Sequence, residues 1–173
     1  SGKPLFQTAI IEDITERKKA EMIQNVVYNI SNAVVGTENL EVLIEKIRDE
    51  LGKIIDTTNF YVALYAKKTD IITLPYFADE FDHNTSIPKG KSLTRYVLET
   101  KKSLLANIET KKKLVDKGHL EHFGTISKIW LGVPLKMEGE VIGVLAVQSY
   151  KDENAFTESD MKVLEFVSDQ ISI

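Results

Sequence analysis

Apolar residues recur along this chain at two periods, and each change of period marks an element. Residues 5–12, Leu-Phe-Gln-Thr-Ala-Ile-Ile-Glu, form a short apolar run that reads as a strand. Asp13 and Thr15 offer side-chain oxygens that cap a helix start, and Glu16 suits its positive end. Over 15–35 there is no Gly or Pro, and Ile23, Val26, Val27, Ile30 and Val34 recur three or four apart. One helix with one apolar stripe is predicted there, stopping near Gly36. A second helix follows Thr37 and carries Leu40, Leu43, Ile44, Ile47 and Leu51.

The period then falls to two. Phe60–Ala66 and Ile71–Phe77 read as strands around a Lys-Lys-Thr-Asp turn. Residues 92–101 read as a helix, 103–107 as a short strand, and 108–127 as a mixed segment with a short helix around Leu114, interrupted by Gly118 and Gly124. Residues 128–137 and 140–150 are the strongest strand pair, and Gly139 between them supplies the positive φ of a tight hairpin. A last helix starts at a Thr157 cap with Asp160 three residues on, and carries Met161, Leu164, Val167 and Ile171. The order implies an α+β fold, an antiparallel sheet with helices from both chain ends able to cover one face.

Alternation divides each strand into two faces. Phe60, Val62 and Leu64, then Ile129, Leu131, Val133 and Leu135, then Val141, Gly143, Leu145 and Val147 make an aliphatic set suited to burial under helices. The opposite set is different in kind: Tyr61, Ala63 and Tyr65; Trp130, Gly132 and Pro134; Ile142, Val144, Ala146, Gln148 and Tyr150. Polar-tipped rings beside small residues can outline a ligand cavity. They can equally pack as plain core against the 108–127 segment.

Length suits one domain with an appendage. The net charge of −4 disfavours nucleic acid as a partner, and the run Lys111, Lys112 and Lys113 reads as a solvated face. No stretch approaches a membrane span, the first residues lack a secretory-leader pattern, and the expected location is cytoplasmic. Cysteine is absent, which removes disulfides, thiolate nucleophiles and cysteine-ligated zinc.

The segment 127–171 resembles the C-terminal half of a GAF domain. The resemblance rests on Val133-Pro134-Leu135, Gly139, Val141-Ile142-Gly143-Val144-Leu145, and Phe156 followed by Asp160 and the final helix. Residues 39–55 and 60–77 are similar to that family's opening helix and first two strands. Residues 4–21, with Asp13-Ile14-Thr15-Glu16-Arg17-Lys18, resemble the last strand of a PAS domain and its exit into the next module. The implied organisation is a PAS remnant at 1–14, a linking helix at 15–35 and a GAF domain at 36–173.

The resemblance implies a six-stranded antiparallel sheet, terminal helices on one face, and a short-helix and loop roof over a pocket on the other. It places Tyr61, Tyr65, Trp130 and Gln148 on the pocket side, with Tyr96, His119, His122 and Phe123 in the roof. Of the cyclic-nucleotide motif of the family, Asn154, Phe156 and Asp160 are present, but Ala155 stands where Lys is expected and Met161 where Glu is. A thioether-linked bilin, and the methionine-sulfoxide-reducing chemistry of some relatives, both call for a cysteine. His119 and His122 occupy the region where haem-binding members place an axial ligand, yet two histidines without a third ligand do not define a metal site. The cofactor is left unknown and no metal is assigned. His83 reads as an exposed loop residue beside Asp79, Glu80 and Asp82.

The expected function is that of a non-catalytic sensory domain of a multidomain signalling protein of the sensor histidine kinase type, binding an unidentified small molecule. Ile23, Val27, Ile30 and Val34 form a stripe expected to pair with its copy in a homodimer; the same stripe could instead pack on this domain's own sheet. The alternative function is a ligand-free dimerising spacer.

Overall fold

Two hairpins and two shorter strands account for the strand-forming segments. In the computed structural model, which describes residues 5–83, 86–88, 90–121 and 125–171 (backbone alone for 5–16), they are β1 (Asn59–Ala66), β2 (Ile71–Ala78), β3 (Ser86–Ile87), β4 (Leu104–Asn107), β5 (Ile129–Met137) and β6 (Glu140–Ser149). All pair antiparallel in one sheet of order β3-β2-β1-β6-β5-β4. The helices are α1 (Leu5–Gly36), α2 (Leu40–Leu51), α3 (Leu93–Thr100), α4 (Ile108–Asp116) and α5 (Glu158–Ile171).

The period-two pattern sorts these into layers. Phe60, Val62, Leu131, Val133, Leu145 and Val147 join Ile44, Ile47 and Leu51 of α2, Val26 and Ile30 of α1, and Leu164 and Val167 of α5 in one core. Tyr61, Ala63, Trp130, Val144 and Ala146 face the other way and join Val97 and Leu98 of α3 in a second core. The sheet is therefore sandwiched: α1, α2 and α5 on one side, and α3 with its flanking segments on the other.

Local chemistry sets the boundaries. Asn39, Ser92 and Asn107 cap α2, α3 and α4 with their side-chain oxygens. Thr157 and Asp160 bond reciprocally at the start of α5, where Phe156 is buried. Between β5 and β6, Glu138 (φ 51°) and Gly139 (φ 82°) both take positive φ, the two-residue turn whose twist suits a hairpin.

The structure departs from the sequence pattern at the start of α1 and along β2 and β6. Residues 5–12 are not a strand: they are the first turns of α1, which runs unbroken for 32 residues. A helix satisfies its own backbone hydrogen bonds, whereas a strand at 5–12 needs a partner to pair with. Strict alternation also fails at bulges in β2 and β6. The register of β5 on β6 shifts between Leu135 and Lys136, so Ile142 packs with the α1/α2/α5 core and Val141 with the opposite one. The shift of β1 on β2 between Val62 and Leu64 likewise sends Tyr76 to the helix side while Phe77 stays with Tyr61. Pro75, which has no N–H to offer a ladder, lies within this irregular stretch.

Candidate functional site

On the α3 side of the sheet lies a cavity of about 130 Å³. This is close to the roughly 150 Å³ of a dry engineered cavity that admits benzene. Its floor is Tyr61 and Trp130, with Gln148 at one end; Leu74 and Phe77 continue the wall, and Ser92, Leu93 and Thr94 of α3 overhang it. Lys111 of α4 and the segment after it, including Leu120, Glu121 and Thr125–Ser127, close the remaining side.

The floor is a hydrogen-bonded series. The Trp130 indole Nε1 donates to the Tyr61 hydroxyl at 2.9 Å, and that hydroxyl shares a second hydrogen bond, also 2.9 Å, with Thr94 Oγ1. Burial pushes the Tyr61 phenol up to about 12, so it remains a neutral donor at neutral pH. Trp130 lies across Gly132, where a Cβ would stand 2.1 Å from the ring. Gly132 is therefore the vacancy that lets the indole lie flat.

A second network locks one rim. Gln148 Nε2 donates to Asp79 Oδ2 (2.7 Å) and to the Tyr150 hydroxyl (2.9 Å), which itself donates to Asp79. Burial, and then this donation to a carboxylate, raise the Tyr150 phenol well above its usual range. Asp82, three residues after Asp79, accepts from the backbone N–H (3.1 Å) and hydroxyl (3.2 Å) of Thr125. That pair of bonds clasps the segment following β2 to the segment preceding β5.

The sequence did not single out Lys111 for this role. It is 8% exposed and not part of a solvated face; its Nζ donates to the Ser127 carbonyl (2.5 Å) and Ser127 Oγ (2.8 Å). Burial lowers its pKa to about 8. The signal that could have found it is the spacing to Leu114, its neighbour one turn along on the buried face of α4. Thr94 was legible in the same way, since it shares the buried face of α3 with Val97 and Leu98.

Of the anticipated ligand residues, Tyr61, Trp130 and Gln148 line the cavity together. Tyr65 does not: its hydroxyl donates to Asp70 at 3.1 Å, and Arg95, also bonded to Asp70 at 2.9 Å, lies over its ring. Tyr96 and His119 make an edge-to-face pair outside the lining, with His119 exposed. His122 and Phe123 lie outside the described residues. His83 is exposed, as expected. No group of three or more His, Asp or Glu suited to a metal occurs among the described residues.

The α1 stripe is placed by the same packing. Ile30 is fully buried in this domain's own core, and Ile23 and Val34 pack against it. Val27 is half-buried. Ile30 is thus removed from any contact with a second copy. Among the described residues no helix is long and apolar enough to cross a membrane.

A sheet of this order, helices on one face and a roofed cavity on the other, agrees with a match of residues 37–173 to the family model for the GAF domain. The chain belongs to the GAF family. No curated protein matches its sequence.

Among solved structures, the GAF fold here is similar to the free methionine-R-sulfoxide reductase of Neisseria meningitidis in complex with its substrate (TM-score 0.70, 18% identity, 88% of this chain and 87% of that one). It is also similar to the GAF domain of a phosphoenolpyruvate-protein phosphotransferase from Coxiella burnetii (TM-score 0.69, 15% identity, 88% and 91%). The reduced form of the Staphylococcus aureus free methionine-R-sulfoxide reductase gives a TM-score of 0.67 at 18% identity, over 87% and 92%. At these identities the likeness is one of fold. It corrects the expectation of a non-catalytic domain, because the same GAF architecture carries enzymes as well as regulatory modules.

Proposed function

We propose that this GAF domain binds a small molecule in the cavity beneath α3 and α4, and relays its occupancy to α1 and α5 as a module of a multidomain signalling protein. The observation that carries this reading is the Trp130–Tyr61–Thr94 series, a buried run of polar groups along an otherwise apolar cavity floor. The relay has a physical route. β5 presents Trp130 to the cavity and Leu131 and Val133 to the helices, and its Pro134 carbonyl accepts from Ser168 Oγ of α5 at 2.7 Å. Ser31 of α1 donates to Gln170 of α5 at 2.9 Å, which joins the two terminal helices. The resemblance of Asp13–Lys18 to a PAS exit supports a parent of the sensor histidine kinase type in the cytoplasm.

The test is a small-molecule thermal-shift screen on the wild-type chain and on Ile126→Trp. Ile126 lines the cavity yet is 62% exposed, so the larger ring can obstruct the site while sparing the fold. Compounds that stabilise the wild type and not the variant support the reading; a library without such compounds sinks it.

A dimerising role is a second reading. Tyr28 and Val35 of α1 are 66% and 90% exposed, an apolar surface on the side of the helix away from its own core. A homodimer through this side keeps Ile30 inside its own protomer. Light scattering that reports a monomer at high concentration rejects it.

A further inference from the structure

We infer that Lys111 is the anion-binding group of this cavity, and that its ligand is a compact monoanion with an apolar body, such as an aromatic or branched carboxylate. The inference rests on the small-molecule reading above and gives it a ligand class. Lys111 is a buried ammonium whose acceptors, the Ser127 carbonyl and hydroxyl, are both neutral. Two of its three N–H donors are satisfied by them. Among the described residues nothing accepts the third, and no carboxylate pairs with the charge. A cation removed from water and given only neutral partners lacks a counter-charge, and a ligand anion supplies it. Ser127 also fixes the direction of the ammonium, so the site is oriented before a ligand arrives.

The rest of the lining defines the body. Tyr61, Leu74, Phe77, Leu93, Ile126 and Trp130 present rings and aliphatic surface. The volume of about 130 Å³ suits one ring or a short branched chain. Asp82 and Glu121 share the cavity, and their like charge opposes a second negative charge on the ligand. One carboxylate on Lys111 with the body over Trp130 meets these conditions, and a dianion such as a phosphate monoester does not.

The experiment uses three probes of one shape: benzoate, benzamide and benzylamine, titrated by calorimetry or ligand-observed NMR into the 173-residue chain at pH 7. The expected result is a Kd for benzoate at least tenfold below those of the other two. Lys111→Met should abolish that difference by weakening benzoate more than benzamide. Equal binding of benzoate and benzamide, a benzoate preference that survives Lys111→Met, or no benzoate binding overturns the assignment. Benzamide or benzylamine bound as tightly as benzoate and blocked by Ile126→Trp would sink the anion class while leaving the cavity reading intact. If Lys111→Met does not fold, the wild type still decides. Benzoate affinity should hold below about pH 8, where Lys111 is charged, and fall above it. Asp82, Glu121 and Tyr61 also face the cavity, so Asp82→Asn and Glu121→Gln should keep the decline. A flat profile from pH 7 to 9.5, or a decline abolished by either of those two variants, overturns the assignment to Lys111.

Discussion

The Trp130 indole N–H points at the Tyr61 hydroxyl from 2.9 Å, across β6, which separates their two strands. Tyr61 passes the connection on to Thr94 at the start of α3, so three elements far apart in sequence meet in one buried line. The line explains why the cavity stays open. Each polar tip is already occupied, so none has to turn inward and fill the space.

Removing the middle member should therefore be costly. Tyr61→Phe leaves the buried Trp130 Nε1 without its acceptor and Thr94 without its partner. The expected loss is about 1–3 kcal/mol, as for other orphaned buried groups. Urea unfolding followed by tryptophan fluorescence reads it directly, since Trp130 is the chain's one tryptophan. Tyr65→Phe is the contrast: its hydroxyl bonds the part-exposed Asp70 outside the cavity, and a loss below about 1 kcal/mol is expected.

Two glycines in the same sheet should respond differently to alanine. At Gly132 the new methyl meets the Trp130 ring, a side chain that can swing aside. The expected cost is about 1–3 kcal/mol, with a changed near-UV spectrum as the indole tilts into the cavity. At Gly143 the methyl would stand 2.2 Å from the Ala63 carbonyl oxygen, which is backbone held between β2 and β6. Gly143→Ala should lose more stability than Gly132→Ala, and a smaller loss would contradict the rigidity assigned to β1.

Lys111 also predicts a slope of stability with pH. Folded, it releases its proton near pH 8; unfolded, it holds the proton to about 10.5, the ordinary lysine range. Between these values the unfolded chain binds more protons than the folded one, so this group favours folding more as pH rises. The contribution is complete above about 10.5 and is lost as pH falls through 8. Wild type minus Lys111→Met, compared by urea unfolding between pH 7 and 10, should show stability rising with pH. A flat or falling difference would place the ammonium in water.

What could be read from residues alone follows which physics was local. The β5–β6 hairpin and the Thr157–Asp160 box depend on neighbours a few residues apart, and the structure has them as expected. Tyr61, Trp130 and Gln148 were placed on one face by alternation, which holds over those stretches. Alternation has no means of showing a bulge, so Ile142 and Val141 were assigned to each other's faces. β3, two residues long, is too short to show a period. Lys111 was hidden by composition: three adjacent lysines look solvated, and the one signal that separates Lys111 from the other two is its one-turn spacing to Leu114. The first turns of α1 were misread because a short apolar run suits either element, and only a pairing partner would decide for a strand.

At about 1.5 Å per residue α1 is ~48 Å long, yet its apolar hold on the domain comes from Ile23, Val26, Ile30, Ala33 and Val34, with Asn29 and Ser31 bonded to α2 and α5, while Arg17–Met22 are exposed. The domain thus clamps a shaft along one side, and the azimuth of every upstream residue is counted from Ile23. One residue inserted between Arg17 and Met22 would turn the upstream end by ~100°, and seven would bring it back to within ~20° of its starting direction. The length of this segment is a phase angle, and what the clamp controls is the direction in which the far end faces.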